Sequence, residues 1–203
     1  AHTMADEIHE SQRSLRGVAR TKLAFSSDRN RERVTGTVES RDVKEIYIAD
    51  YDGSNQRRIT INRALNITPN WSPDGRFLAY VTWSVAGGQV LKVAADGRTP
   101  FRALTPLGAY YREPVFTPAG TQVVALRGAR HVRVEREHEW GGLPPGMDVV
   151  AIPADGGDAR VVVPTRGASR PHFTADPDRL FLYSPQGLLS MRLDGSDRRT
   201  EVK

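Results

Sequence analysis

The sequence predicts an all-β chain, a β-propeller of about four four-stranded blades with a short helical segment at its N-terminus. Three observations predict it. A Pro-x-aromatic-hydroxyl phrase that runs into a turn recurs at Pro69-Asn-Trp71-Ser72-Pro73-Asp74-Gly75, Pro114-Val-Phe116-Thr117-Pro118-Ala119-Gly120 and Pro171-His172-Phe173-Thr174. Its aromatic positions stand 45 and 57 residues apart, the length of one blade and of one blade with an insertion. A second phrase, an alternating strand that stops at Asp-Gly, ends at Asp52-Gly53, Asp96-Gly97, Asp155-Gly156 and Asp194-Gly195. Asp-Gly supplies the positive backbone angles that a tight hairpin needs.

The elements follow in chain order. Ala1-His2-Thr3-Met4 reads as a cloning scar. The charged stretch 5–16, with Ile8 and Leu15 seven apart, carries a thin helical stripe that Gly17 would stop, so 1–16 is assigned to scar and helical remnant and 17–203 to the propeller. Blade one, about 17–65, has strand B at 22–26, strand C before Asp52-Gly53 and strand D at 57–60. No Pro-x-aromatic phrase precedes it, so its inner strand A is expected to be missing. Blades two to four, about 66–107, 108–166 and 167–203, have all four strands, giving about fifteen in total. In the turn phrase Pro73 presets the backbone, Asp74 can bond the amide two residues on, and Gly75 takes the strained angle. Trp71, Phe116 and Phe173 are expected as wedges between neighbouring blades, because an aromatic recurring once per unit is what a packing requirement produces.

Composition sets the function classes. With 38% apolar and 26% charged residues, 18 Gly and 13 Pro, the chain fits a turn-rich globular domain. It has no Cys, hence neither disulfide nor thiolate metal site. No apolar run approaches the roughly 20 residues of a membrane span, and no membrane contact is expected. The net charge of +5 comes mostly from 25 Arg spread along the chain, whereas phosphate binding needs a concentrated basic face; nucleic acid is not an expected partner. A Gly-x-Ser-x-Gly elbow and a glycine-rich phosphate loop are both missing, so no catalytic residue and no cofactor are assigned.

Binding candidates are few. In the long insertion 127–147, His131, Glu135 and His138 would share one face of a helix, yet the alternating Val132 and Val134 favour a strand on which 131 and 138 face opposite ways. The run is therefore taken as a charged surface loop and no metal site is assigned. Trp140 with Arg133 and Arg136 is the candidate protein-binding group there, since aromatic and Arg side chains dominate interface energetics. His172, beside Phe173 on an inner strand, is a candidate for the central channel, with a packing histidine as the alternative.

Several stretches carry a family resemblance: Ala5-Asp6-Glu7-Ile8, Arg16-Gly17-Val-Ala-Arg20-Thr21-Lys22-Leu23-Ala24-Phe25, Asp50-Tyr51-Asp52-Gly53-Ser-Asn55-Gln56 and Trp71-Ser-Pro-Asp-Gly75. They resemble the TolB family of bacterial periplasmic β-propellers. From about Gly87 the chain is more similar to the TolB-like propeller that precedes the catalytic domain of some amidohydrolases, on Val93-Ala-Ala-Asp-Gly97, Gly108-Ala-Tyr-Tyr-Arg112, Arg170-Pro-His-Phe-Thr174 and Gly187-Leu-Leu-Ser-Met191. A junction of two propeller fragments near 83–88 is the expectation. The resemblance implies a periplasmic or secreted, non-catalytic scaffold or protein-interaction module. Its open first blade either takes a strand from the N-terminal segment or pairs with a second copy, a homodimer completing a larger ring. The alternative is an accessory, substrate-gating propeller of an amidohydrolase-type enzyme that lacks its catalytic domain.

Overall fold

The computed structural model describes residues 4, 7, 10, 11, 21–34, 41–84, 87–128, 147–174 and 176–202. Met4, Glu7, Glu10 and Ser11 are helical and exposed; Ile8, Leu15 and Gly17 lie outside the described residues. From Lys22 onward the described residues form strands and turns. Blade 1 holds β1 (Lys22–Ser27), the short ladder of β2 (Arg33–Val34) with β3 (Arg41–Asp42), β4 (Glu45–Asp50) and β5 (Arg57–Arg58). Its sheet has the order β1-β4-β5, three strands, with no strand among the described residues on the inner side of β1.

The next three sheets are four-stranded antiparallel meanders. Blade 2 is β6 (Leu65–Trp71), β7 (Phe77–Ser84), β8 (Gly87–Ala94) and β9 (Arg102–Ala103). Blade 3 is β10 (Tyr110–Phe116), β11 (Gln122–Gly128), β12 (Asp148–Pro153) and β13 (Arg160–Pro164). Blade 4 is β14 (Ser169–Phe173), β15 (Arg179–Ser184), β16 (Gly187–Arg192) and β17 (Arg199–Val202). The β2-β3 ladder, inserted in the β1 to β4 connection, is among the described residues the one set of strands beyond the fifteen expected.

Strand alternation explains why β7 has no polar face. Leu78 and Tyr80 join Ile46, Ile48, Ile59, Leu91 and Val93 in the core between blades 1 and 2. Ala79 and Val81 point the other way, into the core shared with Phe116, Val123, Ala125, Val150 and Ile152 of blade 3. A third core, between blades 3 and 4, gathers Leu126, Met147, Val149, Leu180, Leu182 and Met191. The aromatic wedges sit as expected: Trp71 packs on the first core, Phe116 lies in the second and Phe173 packs on the third. Blade packing thus runs 1 to 2, 2 to 3 and 3 to 4, and among the described residues no comparable packing joins blade 4 to blade 1.

The turns differ from the expected two-residue hairpin. In the Asp-Gly phrases the glycine amide bonds back three residues, Gly53 to Asp50, Gly97 to Ala94, Gly156 to Pro153 and Gly195 to Arg192, at 2.8 to 3.0 Å. Only the glycine takes a positive φ, 81, 68, 83 and 85° respectively. This is a type I turn followed by a left-handed Gly, a wider connection than a type I′ pair. In the first turn phrase Asp74 does bond the Arg76 amide, at 3.0 Å, while Ser72 Oγ accepts from the Phe77 amide at 2.9 Å.

Candidate functional site

Each complete blade carries a bulge at one place in its inner strand. Register slips between Ile67 and Asn70, between Arg112 and Val115, and between Ser169 and His172. The residue before proline is left-handed in all three: Thr68 at φ 51°, Glu113 at 52° and Arg170 at 53°. Such a conformation costs a non-glycine residue about 1–3 kcal/mol and persists only where the surroundings hold it. Here the neighbouring blade helps. Asn70 Oδ1 accepts from the Phe116 amide of blade 3 at 3.0 Å, and Glu113 Oε2 accepts from the Arg170 amide of blade 4 at 2.6 Å. The bulges therefore tie successive inner strands together while re-aiming polar groups on the same edge.

His172 sits at the end of this row. It is exposed, its Nδ1 lies 3.0 Å from the Arg170 carbonyl oxygen, and its ring stacks on Phe181 with centroids 5.6 Å apart. Because Leu180 and Leu182 face blade 3, the alternate residues Phe181 and Tyr183 belong to the other face of blade 4. His172 thus lies over the outward face of blade 4, where Tyr183 is 59% and Val202 63% exposed.

The Asp-Gly turns form a second row. Those of blades 2, 3 and 4 each meet the preceding blade. Arg57 of β5 donates to the Ala95 and Asp96 carbonyls, both at 2.6 Å, across the seam between blades 1 and 2. Lys92 of β8 donates to the Ala154 carbonyl and, at 3.0 Å, to Asp155 Oδ1 across the next seam. Arg160 of β13 donates to the Leu193 carbonyl at 3.2 Å across the third. The turn aspartates are held below the ordinary carboxylate value: Asp155 by the Lys92 hydrogen bond first, Asp96 by the Arg98 amide, Asp194 by Ser196 and Asp74 by Ser72. A shallow depression bounded by Ser72, Phe77, Lys92, Phe116, Thr121 and Asp155 lies beside the middle seam.

One buried charge is specific to the first seam. Glu45, 2% exposed, accepts from the Thr60 hydroxyl, from Arg58 Nη2 at 2.8 Å, from the Arg63 amide at 2.9 Å and from Asn66 Nδ2 of blade 2 at 2.9 Å. The fully buried Tyr80 phenol is raised above its ordinary pKa by burial first and by the Glu45 charge second. Sequence reasoning missed Glu45. The available signal was a polar residue near the start of strand C at Glu45, Gln89 and Asp148, matched by a buried Thr just beyond strand D at Thr60, Thr105 and Thr165. Thr60 Oγ1 accepts from the Ile46 amide at 2.9 Å and Thr105 Oγ1 from the Val90 amide at 3.0 Å.

Trp140, Arg133, Arg136, His131, Glu135 and His138 lie outside the described residues. Among the described residues no three His, Cys, Asp or Glu side chains gather where a metal could be held. They carry strained backbone on the inner edge, ordered turns along the seams and exposed aromatic and aliphatic side chains on blade 4.

Comparison with known proteins agrees with this architecture. The Tol-Pal system protein TolB of Hydrogenovibrio crunogenus is 32% identical over 99 residues, 49% of this chain and 21% of that protein. The TolB of Actinobacillus succinogenes is 36% identical over 91 residues, 45% of this chain and 19% of that protein. The matched segment is thus about a fifth of these relatives' length. Among solved structures, a putative TolB from Agrobacterium tumefaciens superposes with a TM-score of 0.52 at 23% identity, covering 63% of this chain and 45% of that one. Kuenenia stuttgartiensis hydrazine synthase reaches 0.64 at 12% identity, covering 89% and 31%. These structural likenesses concern the fold alone. The profile of the TolB beta propeller domain matches residues 8–140, about two thirds of the sequence, and the chain belongs to that family.

Proposed function

We propose that the chain is a non-catalytic scaffold, a TolB-type protein-interaction module whose blades form part of a larger ring completed by a second copy. The observation that carries this reading is the open arc: blades pack in chain order, blade 4 keeps an outward face with exposed Tyr183 and Val202, and among the described residues no comparable packing returns it to blade 1. An uncovered blade face and a first blade with three strands among the described residues each favour association with another sheet. The resemblance to TolB supports a periplasmic setting and a protein, rather than a small molecule or nucleic acid, as the natural ligand. Size-exclusion chromatography with light scattering tests the assembly. A particle of twice the 22.5 kDa chain mass is expected, and a single-chain particle across the micromolar range overturns the ring reading. Hydrolytic turnover by the purified chain would overturn the non-catalytic one.

A further inference from the structure

We propose that the seam between blades 1 and 2 binds an internal water molecule, held between the Ser26 hydroxyl of β1 and the Tyr80 hydroxyl of β7. Register places these two groups opposite each other. Ser26 pairs with Ile46, Val81 with Val90 and Leu126 with Val149, and each of those partners stands six residues before its turn aspartate. The three residues hold one place in strand B, on the face turned toward the next blade; Ala24, two residues before Ser26 and on the same face, packs on the first core. Tyr80, Ala125 and Leu182 hold the following kind of place, on the face turned toward the preceding blade. They pair with Leu91, Val150 and Leu189, five residues before Asp96, Asp155 and Asp194. Val81 and Ala125 share the core of the second seam and Leu126 and Leu182 that of the third, so the repeat matches Ser26 with Tyr80 across the first.

At the second and third seams these places hold buried apolar side chains. At the first they hold two hydroxyls, and both Ser26 Oγ and Tyr80 Oη are buried without a hydrogen-bond partner in the protein. Leaving a buried hydroxyl unpaired forfeits the bonds it makes to water in the unfolded chain, and Ala or Phe would fill the same space without that cost. Two further atoms of the same kind come from β6, the strand that packs against β1: Thr68 Oγ1 and Trp71 Nε1. Trp71 is the wedge of this seam, and its N–H has no equivalent in Phe116 or Phe173. Of the five buried side-chain atoms without a protein partner among the described residues, four thus belong to one seam, the fifth being Thr165 Oγ1. Unpaired polarity is therefore a property of this seam and not of the repeat.

Water is the ligand that suits such a set. It offers two donors and two acceptors, and a buried water typically joins about three polar groups that would otherwise go unpaired, whereas cavities that stay dry are lined by apolar side chains alone. The electrostatics agree. Burial first and the Glu45 charge second raise the Tyr80 phenol above its ordinary pKa, so it remains an O–H donor. It gives its proton to the water oxygen, and a water proton is then free for Ser26 Oγ. Glu45 already receives Thr60, Arg58, the Arg63 amide and Asn66, so it contributes its field to the site and not a further bond.

The test compares thermal unfolding of wild type, Tyr80→Phe, Ser26→Ala and the double variant, beside a high-resolution crystal structure of the wild-type chain. With the water bound, each single variant takes away one of its partners, and the midpoint should fall by about 2–5 °C. The double variant should fall by less than the sum, because both losses concern one water. The crystal structure should show a water oxygen within hydrogen-bond distance of both Ser26 Oγ and Tyr80 Oη. If either single variant raises the midpoint or leaves it unchanged, the hydroxyl it removes was unpaired in a dry seam and the proposal fails. A crystal structure in which the two hydroxyls bond each other directly, or in which no density stands between them, overturns it as well. Each single change removes one oxygen atom, and the wild-type crystal structure decides the matter even if a variant fails to fold.

Discussion

The seam between blades 1 and 2 and the seam between blades 3 and 4 are built from the same repeat and held by different means. The latter is apolar, with Leu126, Met147, Val149, Leu180, Leu182 and Met191 in contact and Phe173 packed against them. At the former an isoleucine and tyrosine cluster is joined by a buried carboxylate whose partners come from both blades. The apolar part recurs because any blade must cover its neighbour. The polar part does not recur, and a buried Glu45 accepts only an Asn66 in the right place. Burial supplies adhesion at both seams; at the first, hydrogen bonding also specifies which blade is adjacent and in what register.

Removing the polar device should produce the largest effect. Glu45→Ala leaves Asn66, Thr60 and Arg58 facing a buried void, and loss of one partner of a buried charged network costs about 3–5 kcal/mol. Urea unfolding should show that loss as a lower midpoint, whereas a change under about 1 kcal/mol would make the first seam as apolar in its energetics as the third. Leu180→Ala, at the third seam, removes a fully buried side chain and is expected to cost about 3 kcal/mol through lost burial and the cavity left. In the double variant the two losses should add, since the residues belong to separate cores.

The glycine turns add a second contrast, between a turn where a Cβ would collide and one where it has room. Gly53→Ala should cost about 1–2 kcal/mol, the penalty of a left-handed alanine. Gly195→Ala pays the same penalty and in addition drives its Cβ to within 2.8 Å of Val163 and 3.0 Å of the Val162 carbonyl, so its thermal midpoint should fall several degrees further. Equal midpoints for the two variants would mean that the blade 3 to blade 4 seam yields freely at that point.

How much of this was visible in the residues follows from what repeats. The wedges Trp71, Phe116 and Phe173 and the Asp-Gly turns were legible because packing imposes them once per blade, and the three-stranded first sheet of the described residues corresponds to a gap in that pattern. The cross-seam role of the same glycines was not, because a turn explains Gly at those positions without any neighbour. The bulges at Thr68, Glu113 and Arg170 went unseen for a sharper reason. A residue before proline is normally pushed to extended backbone, so the local rule pointed away from the left-handed conformation that the blade geometry enforces. Glu45 shares its place with Gln89 and Asp148, each followed by a buried Thr, so repetition marks the position but does not show that only at Glu45 a buried carboxylate gathers partners from two blades. His172 was picked as a polar residue on an inner strand; its stacking on Phe181, on the outward face of blade 4, depends on the bulge that shifts the register just before it.

The smallest expected effect is the dependence on pH. Asp74, Asp96, Asp155, Asp194 and Asp197 all have folded-state values below the ordinary 3.8, each held down first by a hydrogen bond. For a group whose folded value is depressed, the contribution to stability is complete above the unfolded value and is lost as pH falls through the folded one. The unfolding midpoint should therefore be level near neutrality and decline below about pH 4. The sites differ in what they report. Asp74, Asp96 and Asp194 are lowered from within their own turns, Asp155 chiefly by Lys92 across the seam between blades 2 and 3. Lys92→Met should thus flatten part of the acid decline by returning Asp155 toward its ordinary value, and Ser196→Ala, which removes one donor inside the last turn, should leave the seam contribution intact. If Lys92→Met leaves the slope between pH 4 and pH 2 unchanged, the cross-seam contact does not set the charge state of the turn, and the basic residues along the seams act through their carbonyl hydrogen bonds alone.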